Sequence, residues 1–181
     1  TQSRSSAASD VYKRQDESSV EQKKQLLAGK IEDMLNTVAR QIGFHQFEVK
    51  FHEARIKSEL TPDEISDIWM ETQKHAVGPY VNLNNDYRVL WGYIPHFVHT
   101  PFYVYAYAFG DGLVNALWYA YQKSDKDEFS KKYIEMLSSG GTKSHNDLLK
   151  PFNLSAYENS FWVKGISMIT SLMDELEALQ N

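Results

Sequence analysis

The stretch Thr100-Pro101-Phe102-Tyr103-Val104-Tyr105-Ala106-Tyr107-Ala108-Phe109-Gly110-Asp111-Gly112 decides between two fold classes. Its aromatic residues alternate at Tyr103, Tyr105, Tyr107 and Phe109, the period-two pattern of a half-buried strand. Two features favour a helix instead. Thr100-Pro101 sets a capping hydroxyl before a proline, whose fixed φ and missing N–H suit the first helical position. The apolar run also continues for two more turns beyond Gly112. The stretch therefore reads as a helix over about 100–123.

The neighbouring segments read the same way. Ser19 followed by Gln22 can form a capping box, and Leu27, Ile31, Leu35, Val38, Ile42 and Val49 recur at helical spacing, which predicts one long helix over about 20–55. Thr61-Pro62-Asp63-Glu64 supplies a cap hydroxyl, a proline and an acid three residues after the cap. That helix carries Ile65, Ile68 and Trp69 and stops near Gly78-Pro79. Residues 80–86, with three asparagines, read as a loop, and Asp86 caps a short helix through Tyr93. Pro95 removes a backbone donor and biases Ile94 away from helix, so the chain turns there.

Asp125 with Glu128 starts the next helix, which ends at Ser138-Ser139-Gly140-Gly141. A short helix from Ser144 stops near Pro151, and an amphipathic helix over about 158–179 carries Trp162, Ile166, Ile169, Leu172, Leu176 and Leu179. No internal repeat or linker interrupts the series, so residues 16–181 read as one all-helical lobe. Residues 1–15 show no helical period. The heptapeptide Ser9-Asp10-Val11-Tyr12-Lys13-Arg14-Gln15 resembles the translation of a transposase adapter, so 1–15 reads as a non-native adapter-derived segment or a disordered tail.

Composition excludes several classes. The chain has 181 residues and 42% hydrophobic content, enough for a real core and against disorder throughout. Nineteen Lys and Arg against 24 Asp and Glu give a formal charge of −5 without a basic block, so nucleic acid is a poor partner. The absence of cysteine rules out a disulfide framework, a thiolate nucleophile and a thiolate zinc site within the chain, and suits a reducing, cytoplasmic location. The longest apolar stretch, between Phe102 and Tyr121, is broken by Gly110-Asp111-Gly112 and Asn115, so no membrane span is expected.

The chemically specific run is Ile94-Pro95-His96-Phe97-Val98-His99 continuing into Tyr103, Tyr105 and Tyr107. Two imidazoles and three phenols are hydrogen-bond donors that can be aimed at a carbonyl oxygen as it gains negative charge, and a packed core has no need of so many together. The bland alternative is an aromatic core stripe whose hydroxyls reach solvent or backbone.

An ordered series of motifs resembles the oligoendopeptidase F family of zinc metallopeptidases, relatives of the thimet-type peptidases. Its carriers are Phe47-Glu48, Phe51-His52-Glu53-Ala54-Arg55, the segment from Glu59 to Glu64, Ile94-Pro95-His96-Phe97, the run from Phe102 to Gly110, Gly140-Gly141-Thr142-Lys143-Ser144 and Leu172-Met173-Asp174-Glu175-Leu176. The resemblance implies the helical C-terminal lobe of a larger, mostly helical enzyme that hydrolyses internal bonds of short peptides. It assigns Tyr107, Tyr103 and His96 to catalysis as oxyanion or carbonyl donors, and His99, Tyr105, Gly140 and Gly141 to substrate binding. The family's zinc motif, H-E-x-x-H, is not matched: after His52-Glu53 the second histidine would fall at position 56, which is Ile. The zinc ligands are therefore expected upstream, on a missing N-terminal part of the same chain, and this segment alone is expected to be inactive.

Other patterns carry less. His45 and His52, near Glu48 and Glu53, could suggest a metal site, but satisfied histidines at a helix interface are commoner. Gly140-Gly141-Thr142-Lys143-Ser144 lacks the strand and spacing of a phosphate loop and reads as a helix end. Asp63, Glu64, Asp67 and Glu71 suit a solvated face near a helix N-terminus. The rival function is a non-catalytic helical interaction domain whose aromatic face holds a partner peptide.

Overall fold

Local side-chain chemistry starts most of the helices. In the computed structural model, which describes residues 19–179, Ser19 Oγ accepts from the Gln22 N–H and Gln22 Oε1 accepts from the Ser19 N–H, closing the expected capping box. Helix α1 (Val20–Leu35) follows, then a π-helical segment (Asn36–Arg40) and α2 (Gln41–Lys57). The expected single helix is thus continuous but carries a wider turn, and that turn shifts the phase of its buried face. Leu27, Ile31 and Met34 are buried before it, Gly43, Phe44, Phe47 and Glu48 after it. Leu35 and Ile42, which a uniform 3.6-residue period places in the core, are exposed.

Helix α3 (Pro62–Val77) starts as expected, with Glu64 N–H donating to Thr61 Oγ1 and Thr61 N–H donating to Glu64 Oε2 at 2.7 Å. It ends at Gly78, whose φ of 75° is the left-handed conformation glycine adopts freely. The Thr61 backbone and hydroxyl hold the Glu64 carboxyl below its ordinary value. The folded pKa is therefore the lower one, so Glu64 stabilises the fold above the ordinary carboxylate range, and the contribution is lost as pH falls through the folded value. Thermal melts followed by circular dichroism should show Glu64→Gln melting below wild type at neutral pH and the gap closing on acidification. A gap independent of pH would refute this account.

A 3-10 helix (Asn85–Tyr93) is capped by Asn84, not by Asp86 as the sequence suggested. Asn84 has the extended backbone of a cap, whereas Asp86 already lies in the first turn. One turn of helix, α4 (His96–His99), follows Pro95, and α5 (Tyr105–Gln122) comes after a turn. The expectation that Thr100-Pro101 starts this helix is corrected here. Thr100 ends α4 by donating its N–H to His96 O, and Phe102 has φ 61°, which a right-handed helix cannot contain. Helices α6 (Lys126–Ser138), α7 (His145–Leu149) and α8 (Asn159–Ala178) complete the series, with a 3-10 turn (Lys150–Phe152) between the last two. Asp125 and Ser144 cap α6 and α7 through the N–H groups three residues on. Among the described residues there is no strand, and no helix is long and apolar enough to cross a membrane. The tail at 1–15 lies outside those residues.

The helices divide into two compact units, one formed, among the described residues, by 19–34 and 119–179, the other Leu35–Trp118. In the first, Leu27, Ile31 and Met34 pack with Ile169 and Leu172. The buried stripe of α8 runs through Phe161, Gly165, Ile169 and Leu172, one residue out of phase at its start with the expected Trp162 and Ile166. Ile166 is exposed, while the Trp162 indole N–H caps the Ala156 carbonyl at 3.0 Å. The second unit is built on rings. Phe44, Phe47, Trp69, Met70 and Val104 are buried together, with Phe97, Tyr87 and Trp91 packed against them.

Candidate active site

Three anchors position the histidine and tyrosine side chains of the second unit. Pro95 opens α4 with a helical φ of −65°, and Phe97 inserts toward Phe47 and Trp69, with ring centroids 5.1 and 6.2 Å away. His96, the residue before it, is left half-buried at the surface. Val104 is buried between Tyr103 and Tyr105, both half exposed. Finally, the Phe102 N–H donates to Glu48 Oε1 at 2.7 Å and fixes the turn that leads into α5.

These anchors bring His96, Tyr103 and Tyr107 together. His96 Nε2 lies 3.0 Å from Tyr107 Oη, with the two rings nearly perpendicular. Tyr103 meets Tyr107 edge to face at 5.7 Å and stacks parallel to His96 at 6.3 Å. Tyr107 is 41% and Tyr103 52% exposed, so a ligand can reach both phenols. The predicted pairing of Tyr103 with Tyr107 is therefore present, although Tyr103 stands before α5 and not within it.

Tyr105 and His99 do not join this cluster. Tyr105 packs edge-on to His45 at 5.8 Å, and His45 lines an open groove of about 890 Å³ between α2 and α3. His99, the last residue of α4, is exposed, and among the described residues no hydrogen bond or ring contact joins it to the cluster. Gly140 and Gly141 belong to the other unit, in the turn after α6. Gly140 has φ 51°, the left-handed value of a helix end, and a β-carbon on either residue would meet open space.

Sequence reasoning missed Glu48. Its side chain is 1% exposed, yet only Oε1 has a hydrogen bond, and Oε2 is buried with no partner among the described residues. The signal was an acid placed four residues after Phe44 and next to Phe47, on the aromatic face of α2. The acids of α3 behave as a solvated face: Asp67 and Asp63 meet Arg88, and Glu71 accepts from Lys50 at 2.8 Å.

The histidines of α2 pair with rings. His52 contacts Phe51 and Phe102, as His45 contacts Tyr105. Among the described residues no group of three or more His, Cys, Asp or Glu is placed to hold a metal ion. The described residues do not fit a catalytic zinc.

The sequence profile of peptidase family M3 matches residues 8–168, and the chain belongs to that family. It is 27% identical over 150 residues to the oligoendopeptidase F homolog of Borreliella burgdorferi, covering 82% of this chain and 25% of that protein. It is 28% identical to oligopeptidase PepF of Bacillus subtilis over 82% of this chain and 22% of that protein. A crystal structure of a Chlamydophila abortus protein provisionally assigned as a peptidase superposes with a TM-score of 0.79 at 26% identity, over 90% of this chain and 27% of that one. The chain thus spans about a quarter of the length of the relatives it matches.

Proposed function

We propose that this chain supplies the substrate-binding and oxyanion-stabilising wall of a zinc-dependent oligoendopeptidase that cleaves internal bonds of short peptides. The observation that carries the reading is the 3.0 Å contact between His96 Nε2 and Tyr107 Oη at an accessible surface. Zinc, on this reading, is held by residues outside those described.

The contact has a chemical consequence. When His96 carries its proton on Nε2, it donates to Tyr107 Oη and leaves the phenol hydrogen free for a substrate oxygen. When Nε2 is bare, Tyr107 donates to it and the phenol is occupied. Only the first tautomer arms Tyr107 as an oxyanion donor. Attack on the scissile carbonyl turns a neutral oxygen into an anion, so a phenol aimed there binds the transition state better than the ground state. Tyr103, edge to face with Tyr107, holds that ring and offers a second hydroxyl to the peptide.

That the relatives are named peptidases favours this reading over a non-catalytic interaction domain. The test is a crystal structure of the complete peptidase with a phosphinic peptide, whose tetrahedral phosphorus stands in for the carbon attacked by water. Tyr107 Oη should lie within hydrogen-bond distance of a phosphinate oxygen. Finding the His96, Tyr103 and Tyr107 rings far from the inhibitor would overturn the assignment.

A further inference from the structure

We infer that Glu48 is a positioning residue of the active site: its buried carboxylate clamps the backbone of Phe102 and thereby aims the tyrosines that follow. The inference rests on the reading of Tyr107 given above. Two costly features meet at this point. A carboxylate that is 1% exposed, with one oxygen lacking a partner among the described residues, is expensive to keep in an aromatic core. Phe102 has φ 61°, a conformation rare for a residue with a large side chain. Their contact, the Phe102 N–H to Glu48 Oε1 at 2.7 Å, joins residues 54 apart in sequence.

Neither feature is the most stable choice for a core, and strain of this kind persists where a geometry is needed. What the clamp fixes is visible in the next five residues. The left-handed residue reverses the chain after α4, Val104 is buried directly beyond it, and Tyr103 and Tyr107 are delivered to His96. His52 packs its ring on Phe102 at 4.8 Å and supports the turn from the same face of α2. Among the described residues no hydrogen bond joins Glu48 to His96, Tyr103 or Tyr107; it acts through the backbone between them.

The experiment compares Glu48→Leu, Glu48→Asp and Glu48→Gln in the complete peptidase. Leucine fills the space without an acceptor, aspartate keeps the charge one methylene short, and glutamine keeps an acceptor at the same reach. Glu48→Leu and Glu48→Asp should lower kcat at least about tenfold with KM little changed, since a misaimed donor is lost mainly in the transition state. Glu48→Gln should restore most of kcat. The Tm of Glu48→Leu should stay within a few degrees of wild type, because removing a buried polar group with one unpaired oxygen offsets the lost hydrogen bond. In the 181-residue chain, the His96 ring resonances should move in Glu48→Leu and stay in place in Glu48→Gln.

Wild-type kcat in Glu48→Leu, or a loss that glutamine fails to rescue, would overturn the inference. If Glu48→Leu does not fold, Glu48→Asp against Glu48→Gln decides. Tyr107→Phe in the same assay separates the two levels of the argument. Unchanged turnover there removes the reading of the site and this inference with it, whereas lowered turnover there beside unaffected Glu48→Leu and Glu48→Asp removes the inference alone.

Discussion

On the proposed reading, Tyr107→Phe in a full-length peptidase is expected to lower kcat by about a hundredfold or more while metal content stays unchanged, the loss seen when one oxyanion donor is deleted elsewhere. The substitution is nearly isosteric. Phenylalanine keeps the edge-to-face contact with Tyr103 and the perpendicular packing on His96, so the fold and the local surface remain. Only the hydroxyl is lost, and with it the hydrogen bond to His96 Nε2. A group that acts on the developing anion should lower kcat and kcat/KM together, with little change in KM. Steady-state kinetics on a short peptide, with metal analysis of the same preparation, measure both quantities. Unaltered turnover would show that Tyr107 is only part of the surface.

Trp69→Ala is expected to cost the second unit about 3–5 kcal/mol, enough to remove a large share of a typical domain's stability. Trp69 is 1% exposed and lies among Phe44 and Phe47, with ring centroids 5.3 and 5.2 Å away. Its indole N–H donates to the Tyr87 carbonyl at 2.9 Å, which ties the 3-10 helix to α3. Alanine therefore leaves a ring-sized cavity and removes the hydrogen bond that joins the two elements. Trp69→Phe keeps an aromatic ring and loses the hydrogen bond, so its cost should be much smaller. Urea denaturation followed by circular dichroism measures the series. A loss below about 1 kcal/mol for alanine would mean that this core is not organised around the indole.

The helix starts were legible because their chemistry is local. Ser19, Thr61, Asp125 and Ser144 each cap through the N–H three residues on, and sequence spacing alone displays that bond. The misread start at Thr100-Pro101 shows where such reasoning stops. Thr61-Pro62 is followed by Glu64, which returns a hydrogen bond to the cap, whereas Thr100-Pro101 is followed by Tyr103, which cannot. Without that reciprocal half, the proline serves the turn that closes α4.

The π-helical segment was not legible because Leu35, Val38 and Ile42 continue an unbroken helical period across it, although the structure leaves Leu35 and Ile42 exposed. At the site, the ring types were legible and their grouping was only partly so. His96, Tyr103 and Tyr107 converge through a backbone bend whose partner, Glu48, lies 54 residues earlier. No local pattern announces a contact over that separation.

The clamp on residue 102 also shapes which substitutions evolution can sample there. Glu48 grips the main chain and not the side chain of Phe102, a residue 41% exposed, so the position should be most comfortable with glycine or asparagine. Proline is the one residue that fails on both counts, having no hydrogen to give the carboxylate and a φ locked on the opposite sign. A saturation library at this codon should therefore enrich glycine and asparagine, deplete the β-branched residues and exclude proline, the signature of selection on backbone shape.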